Sequence, residues 1–264
     1  MAVAMWRPVT VGEELFKHLL EDVGQHTHVE NSRHGLDYLL SPERFIDHSR
    51  LTVTLELFLR AIRCAVDAYA QIPNGTIRQF GQKLRLEADF PGSFVESTTF
   101  CEGLKHAGRV VSEARALPKQ IEKNILRDGG TDCYLCGRKF NRQSNRDRAT
   151  VDHIWPMLFA GENVEDNLIL ACADCNHKKK HAITWVWGPV HYTYEMTSPE
   201  RQVPWELRLS LALARLMSAA TKGGRRLTLK EAAAQIRPAV PRLNMHHGRS
   251  HLFFEFLSHV EADA

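Results

Sequence analysis

The sequence predicts an α+β protein that is mostly α-helical, with a small cysteine-bearing ββα unit embedded between helical segments. Three observations carry this reading. Apolar residues recur at three- and four-residue spacing through the first 128 residues, the period of helices with one buried face. Two Cys-x-x-Cys pairs, Cys133/Cys136 and Cys172/Cys175, fall within residues 129–182. Between them lie two short β-prone runs, 149–156 and 167–170, and a helix start follows the second. A chain of 264 residues buries roughly three quarters of its unfolded surface, so it needs no disulfides to fold.

The helical elements follow in order. Thr10 and Glu13 have capping-box spacing and open a helix over 12–23 with Leu15, Phe16, Leu19 and Leu20 on one face. Ser41-Pro42 is a second start, with proline at the first helical position. Leu55, Phe58, Leu59, Ile62, Val66 and Tyr69 form the longest amphipathic stripe, ending before Pro73-Asn74-Gly75. Shorter helices are expected at 76–88 and 98–116. Pro118 opens another, with Leu117, Ile121 and Ile125 apolar, and Gly129-Gly130 ends it. From 205 onward helices return, with Leu209, Leu213, Leu216 and Met217 in one stripe. A second capping box, Thr228 to Glu231, starts a helix that Pro238 stops. Texture therefore divides the chain into a helical segment 1–128, a cysteine-rich segment 129–182 and a helical segment 183–264. The first carries no catalytic or metal-site spacing, so regulation or contact with a partner or DNA is expected of it. The last is expected to pack on the middle one.

Composition excludes several classes. Apolar residues at 44% and charged residues at 25% suit a folded globular chain and exclude overall disorder. No uncharged apolar stretch approaches the length of a membrane span. Residues 1–8 do not read as a secretory leader, and a cytoplasmic location is expected. The net charge of +3 is unevenly spread, at −1 over 1–128, +1 over 129–181 and +3 over 182–264. A polyanion is therefore expected to bind in the C-terminal half.

Cys64 and Cys101 are isolated and read as buried free thiols. The other four cysteines form pairs with the gap that turns two thiolates toward one metal, and two such knuckles complete a tetrahedral zinc site. Four thiolates close the coordination sphere, so this zinc is expected to hold structure. The knuckles are 36 residues apart, longer than a simple zinc ribbon requires, which leaves room for a further element.

That element reads Ala149-Thr150-Val151-Asp152-His153-Ile154-Trp155-Pro156, then Asn167-Leu168-Ile169-Leu170, then Cys172-Ala173-Asp174-Cys175-Asn176-His177-Lys178-Lys179. Over residues 130–182 the order CxxC, DHIxP, N-L, CxxCNxxK resembles the HNH endonucleases, a zinc-pinned ββα-metal fold. The resemblance implies His153 as the general base toward water, Asp152 and Asn176 as holders of a catalytic Mg²⁺ or Mn²⁺, and Asn167 as a brace for the loop carrying the histidine. It also implies Lys179 as a phosphate contact. Asn176 stands where other members have histidine. These roles suit the chemistry. Oxygen ligands fit a hard divalent cation, and an imidazole titrating near neutrality fits a base. Asp152 and His153 are neighbours and would face opposite sides of a regular strand, so the chain is expected to leave the strand there.

Arg138, Lys139, Arg142, Arg146 and Arg148 form a basic loop suited to tracking a nucleic-acid backbone, Arg142, Arg146 and Arg148 above all. The alternative is a solvated hairpin tip. Lys178-Lys179-Lys180 reads equally as a solvated helix face, and His177 with His181 as exposed. Trp155, Trp185 and Trp187 read as core. Arg242, His246, His247 and Arg249 read as solvated.

The function expected is metal-dependent hydrolysis of DNA phosphodiesters, double-stranded DNA foremost, leaving 5′-phosphate and 3′-hydroxyl ends. The family's resemblance extends to restriction and antiphage-defence effectors of the Zorya and Septu type, with protein partners of a defence system. Two other readings stay open on the sequence: a catalytically silent zinc-stabilised nucleic-acid-binding or adaptor module, and an RNA-directed nuclease.

Overall fold

The computed structural model of the protein describes residues 6–26, 42–88, 90, 92–180, 212, 216–217, 219–220 and 226–240, with side chains for all of these except 23–26 and 42–53. Ser41, His181, Trp185, Trp187, Leu209, Leu213, Arg242, His246, His247 and Arg249 lie outside the described residues. The helices delimited among the described residues are α1 (Val11–His26), α2 (Pro42–Gln71), α3 (Ile77–Glu87), α4 (Gly92–Glu96), α5 (Thr98–Ser112), α6 (Lys119–Asp128), α7 (Ala173–Lys179) and α8 (Leu229–Gln235). Two strands, β1 (Ala149–His153) and β2 (Leu168–Cys172), pair antiparallel with Asp152 opposite Ile169. The fold is thus mostly helical with one small two-stranded sheet. Among the described residues no helix is long and apolar enough to cross a membrane.

The start signals read from the sequence operate as expected. Glu13 N–H donates to Thr10 Oγ1 at 3.3 Å while Glu13 Oε2 accepts from Thr10 N–H at 3.1 Å. Thr228 and Glu231 make the same reciprocal pair at α8. A third box, Thr76 with Gln79, opens α3. The start at Pro42 and the stripe from Leu55 belong to one helix of 30 residues.

The contacts divide the chain into two compact units, and neither is continuous in sequence. One comprises Pro8–Ala116 and Trp155–Glu162; the other comprises Met1–Arg7, Leu117–Ile154 and Asn163–Ala264. In the first, α1, α2, α3 and α5 enclose Leu15, Phe16, Leu19, Phe58, Phe80, Phe100 and Leu104, all essentially without solvent exposure. The buried stripe of α2 includes the expected Leu55, Phe58 and Ile62 together with Ala61, Ala65 and Ala68, while Leu59, Val66 and Tyr69 are only half-buried. Small residues win because α5 comes close: a side chain at Gly108 would collide with the Ala65 carbonyl.

The same core takes up the segment that follows β1. Trp155 is 0% exposed. Its ring meets Phe16 edge-on at 5.6 Å and Phe58 at 5.7 Å, and its indole N–H donates to the Phe159 carbonyl at 2.9 Å. Gly12 N–H donates to the Ala160 carbonyl, and a Cβ at Gly12 would strike Phe159 and the Trp155 ring. Glu162 Oε2 accepts from Val11 N–H at 3.0 Å at the start of α1.

In the second unit, α6 packs on the sheet through Ile125 against Leu168 and Leu170, with Leu117, Ile121, Phe140, Ala149 and Val151 around them. Leu117 therefore goes with this unit, where α6 buries its apolar face.

Truncating Trp155 removes a fully buried aromatic, a loss of about 3–5 kcal/mol. Trp155→Ala should lower the urea midpoint accordingly; a midpoint equal to wild type would show that Trp155 is not part of the helical core.

Candidate functional site

The first knuckle is a tight turn built for a metal. Gly137 N–H donates to the Cys133 carbonyl at 2.8 Å, and Gly137 takes φ +72, a left-handed conformation that glycine adopts without strain. The second knuckle straddles the junction of β2 and α7, Cys172 ending the strand and Cys175 lying in the helix. Tyr134 N–H donates to the Leu170 carbonyl, laying the first knuckle on β2. The four sulfurs all lie within 4.8 Å of one another, and Cys136 and Cys172 Sγ stand 3.9 Å apart. A zinc–sulfur bond of about 2.3 Å implies sulfurs about 3.8 Å apart around a tetrahedron. The donor set and spacing therefore fit zinc.

Hydrogen bonding within the cluster divides the four thiols: Cys133 is raised, through Cys136 first, Cys175 is raised, through Cys133 first, and the other two are lowered. Hydrogen bonding from Cys133, then from the other thiols, pulls Cys136 below the ordinary thiol value, and Cys172 comes down to about 7, again through Cys133 first. Arg138 Nε donates to Cys136 Sγ at 3.3 Å and stands beside Cys172. A zinc with four thiolates carries net negative charge, which the guanidinium offsets. Cys64 and Cys101 are buried free thiols elsewhere, raised by burial.

Above the knuckles, α7 lies along β1. Asn176 Nδ2 donates to Thr150 Oγ1 and to the Val151 carbonyl, both at 3.1 Å. One turn on, Lys179 Nζ donates to Asp152 Oδ1 at 3.1 Å and to the His153 carbonyl at 2.6 Å. Asp152 is 3% exposed and Lys179 7%. Tyr134 Oη, buried and held protonated first by that burial and then by the Asp152 charge, donates to Asp152 Oδ2 at 2.7 Å. Each carboxylate oxygen thus accepts one hydrogen bond. A carboxylate offers about four acceptor positions, so Asp152 retains capacity for a hard cation, as does the Asn176 amide oxygen. By donor chemistry these two residues fit a divalent ion, with the Lys179 ammonium as a neighbouring positive charge.

His153 is half-buried, and its Nε2 lies 2.9 Å from Asn163 Oδ1. Burial, opposed by that hydrogen bond, lowers its pKa below 6.5. The strand continues through His153, which pairs with Leu168, and the chain departs only at Ile154. Neighbours of opposite facing are joined instead by Lys179, which reaches a side chain on one and a carbonyl on the other. Asn167 is buried at the end of a 3₁₀ turn, and its carbonyl accepts from Ile154 N–H at 2.9 Å, closing the excursion that leaves β1.

The basic loop is partly consumed internally. Arg138 bonds Asp147 at 2.7 Å and Asp174 at 2.9 Å, and Arg146 reaches Asp174 at 3.6 Å while remaining largely exposed. Arg142, Arg148, Lys178 and His177 are exposed. Lys179, expected toward phosphate, has its ammonium turned inward to Asp152.

Three partners escaped the sequence reading. Tyr134 sits inside the first knuckle, and only its aromatic character hinted at burial. Thr150 shares a strand face with Asp152 by the two-residue period. Asn163 lies in an irregular loop and carries no spacing signal.

Zinc removal and pair-breaking check these contacts. Cys172→Ser should abolish zinc binding and unfold residues 129–182, because metal binding and folding are coupled there; a folded, zinc-free variant would sink the structural role. Breaking a buried ion pair costs about 3–5 kcal/mol. Lys179→Met should therefore lower the urea midpoint of the zinc-loaded protein in buffer without added Mg²⁺ more than the double variant Asp152→Asn/Lys179→Met. Equal losses would mean that the two charges are not coupled.

No curated protein and no solved structure matched the chain. HNH nuclease domains act on nucleic acids and use divalent metals, and this ββα unit with its four-cysteine cluster corresponds to one: the model of the HNH endonuclease family matches residues 133–182, so the chain carries an HNH endonuclease domain.

Proposed function

We propose that the protein is a metal-dependent endonuclease that hydrolyses phosphodiester bonds of DNA, double-stranded DNA foremost. The observation that carries this is the placement of His153, Asp152 and Asn176 on adjoining elements, β1 and α7, of one small unit. His153 acts as general base, taking a proton from the attacking water. Its lowered pKa keeps the imidazole neutral and ready to accept at neutral pH. Asp152 and Asn176 hold Mg²⁺ or Mn²⁺, which supplies neutralisation of charge on the phosphate oxygens. Lys179 and Tyr134 fix the Asp152 carboxylate from behind. Arg142, Arg146 and Arg148 supply exposed positive charge along the approach of a backbone. A role as an antiphage-defence or restriction effector, working with protein partners, rests on the family resemblance.

A second reading, a silent zinc-stabilised binding module, draws support from the internal engagement of both Asp152 oxygens. Supercoiled plasmid with Mg²⁺, with and without EDTA, separates the two. A parallel structured-RNA substrate separates DNA from RNA cleavage. Nicking or linearisation by wild type, lost in EDTA, is expected. Intact plasmid with retained DNA binding would favour the silent module.

His153→Ala should bind DNA normally while turnover drops about 10²–10⁴-fold. Asp152→Ala and Asn176→Ala should be partly rescued by excess metal or Mn²⁺, which tolerates looser oxygen geometry. Rescue of His153→Ala instead would reverse the assigned roles. The base works when unprotonated, so activity rises with pH through its pKa and then levels. Because that pKa is depressed, the acid limb of kcat/KM should have its midpoint below 6.5. A midpoint above 6.5 would exclude His153 as its source.

A further inference from the structure

Asp152 meets a cation of its own inside the fold. Lys179 Nζ lies 3.1 Å from Asp152 Oδ1, and the two side chains are only 8% and 4% exposed. In formal charge this pair sums to zero. The groups around it add none. Tyr134 donates a neutral hydroxyl to Asp152 Oδ2, and Asn176 is a neutral amide whose nitrogen is already engaged by Thr150 and Val151. Asp147 and Asp174, the acids of the neighbouring loop and helix, are matched by Arg138, Arg146 and Lys178. Nor is the ammonium free to swing away: its stem is buried, and Nζ also donates to the His153 carbonyl at 2.6 Å.

Charge then decides when such a site can fill. Mg²⁺ gives up its water reluctantly and is commonly held by one or two carboxylates together with substrate phosphates. Here a single carboxylate already shares its charge with an ammonium, which repels a second cation brought to the same oxygens. A phosphodiester carries the missing negative charge. We propose that Lys179 is a resident counter-ion that lets the Asp152–Asn176 pair take up a divalent cation only together with the phosphate of a nucleic acid. The choice of nucleic acid as the phosphate source rests on the nuclease reading above; the weakening of cation binding by Lys179 does not. By linkage the coupling is reciprocal, so the cation tightens nucleic-acid binding by the same factor by which nucleic acid tightens the cation's. The free protein thus keeps an incomplete site, completed by the molecule on which it acts.

The test is Mn²⁺ affinity, read from the EPR signal of the free ion with the full-length zinc-loaded chain at mildly alkaline pH. Binding elsewhere on protein or DNA is removed by subtracting that of Asp152→Asn. Without DNA, Lys179→Met should bind Mn²⁺ at the Asp152 site about tenfold more tightly than wild type. Lys179→Gln, which keeps a donor but not the charge, should do the same and is the second variant if methionine disturbs folding by circular dichroism. Duplex DNA, kept uncleaved by placing His153→Ala in every protein compared, should tighten Mn²⁺ binding about tenfold with Lys179 present and much less without it. Mn²⁺ should also raise the urea midpoint of Lys179→Met more than that of wild type. If holding the carboxylate were all that Lys179 does, neither substitution would tighten Mn²⁺ binding. That result, or a Mn²⁺ affinity that DNA leaves unchanged in the Lys179-bearing protein, would overturn the proposal. If the affinities behave as expected while wild type cleaves neither DNA nor RNA, the nuclease reading fails and the charge balance stands. Cleavage by wild type with Mn²⁺ affinity indifferent to DNA sinks the proposal and leaves the nuclease reading in place.

Discussion

The small unit depends on the convergence of four sulfurs within 4.8 Å. Two strands of five residues and a helix of seven bury too little surface to persist as an isolated set. The thiol cluster fastens the first knuckle to the β2–α7 junction, and Tyr134, two residues from Cys136 and one from Cys133, is carried under β1 with it. From there its hydroxyl reaches Asp152. The second knuckle fixes where α7 begins, which fixes the phase of Asn176 and Lys179 against β1. The four-cysteine cluster, able to hold a zinc, thus sets the position of Tyr134, Asp152, Asn176 and Lys179.

Charge inside the unit is arranged in two layers. Around the sulfurs, Arg138 faces the negative cluster and is itself held by Asp147 and Asp174. Around Asp152, a buried ammonium and a neutral phenol share the carboxylate. A buried carboxylate without such partners would take up a proton and cease to attract cations. Lys179 therefore gives Asp152 a counter-charge and a donor in a dry environment, a service different from the surface contact that its place in a lysine run suggests.

Much of this was legible in the residues. The knuckle spacing, the Asp152-His153 pair and the capping boxes at Thr10 and Thr228 are local patterns whose chemistry acts over a few residues, so the sequence displays them. What could not be read depends on distant residues meeting. The CNxxK pattern singles out Lys179 but not its partner: helical phase turns it inward to Asp152 and leaves Lys178 exposed. Of the α2 stripe, Leu55, Phe58 and Ile62 are buried and Leu59, Val66 and Tyr69 half-buried; Ala61, Ala65 and Ala68 join the core instead, where the close approach of Gly108 to Ala65 arises on another helix. Asn163 has no pattern at all; only loop closure brings it to His153.

The placement of residues 155–162 in the helical unit bears on synthesis. The helices before residue 116 leave the ribosome first, but the aromatic pocket of Phe16 and Phe58 receives its indole only when Trp155 follows. The other unit also waits, since Arg7 N–H, near the beginning, donates to the Leu227 carbonyl. Neither unit can be completed in the order in which it is translated, and a single cut in the chain separates neither from the other intact.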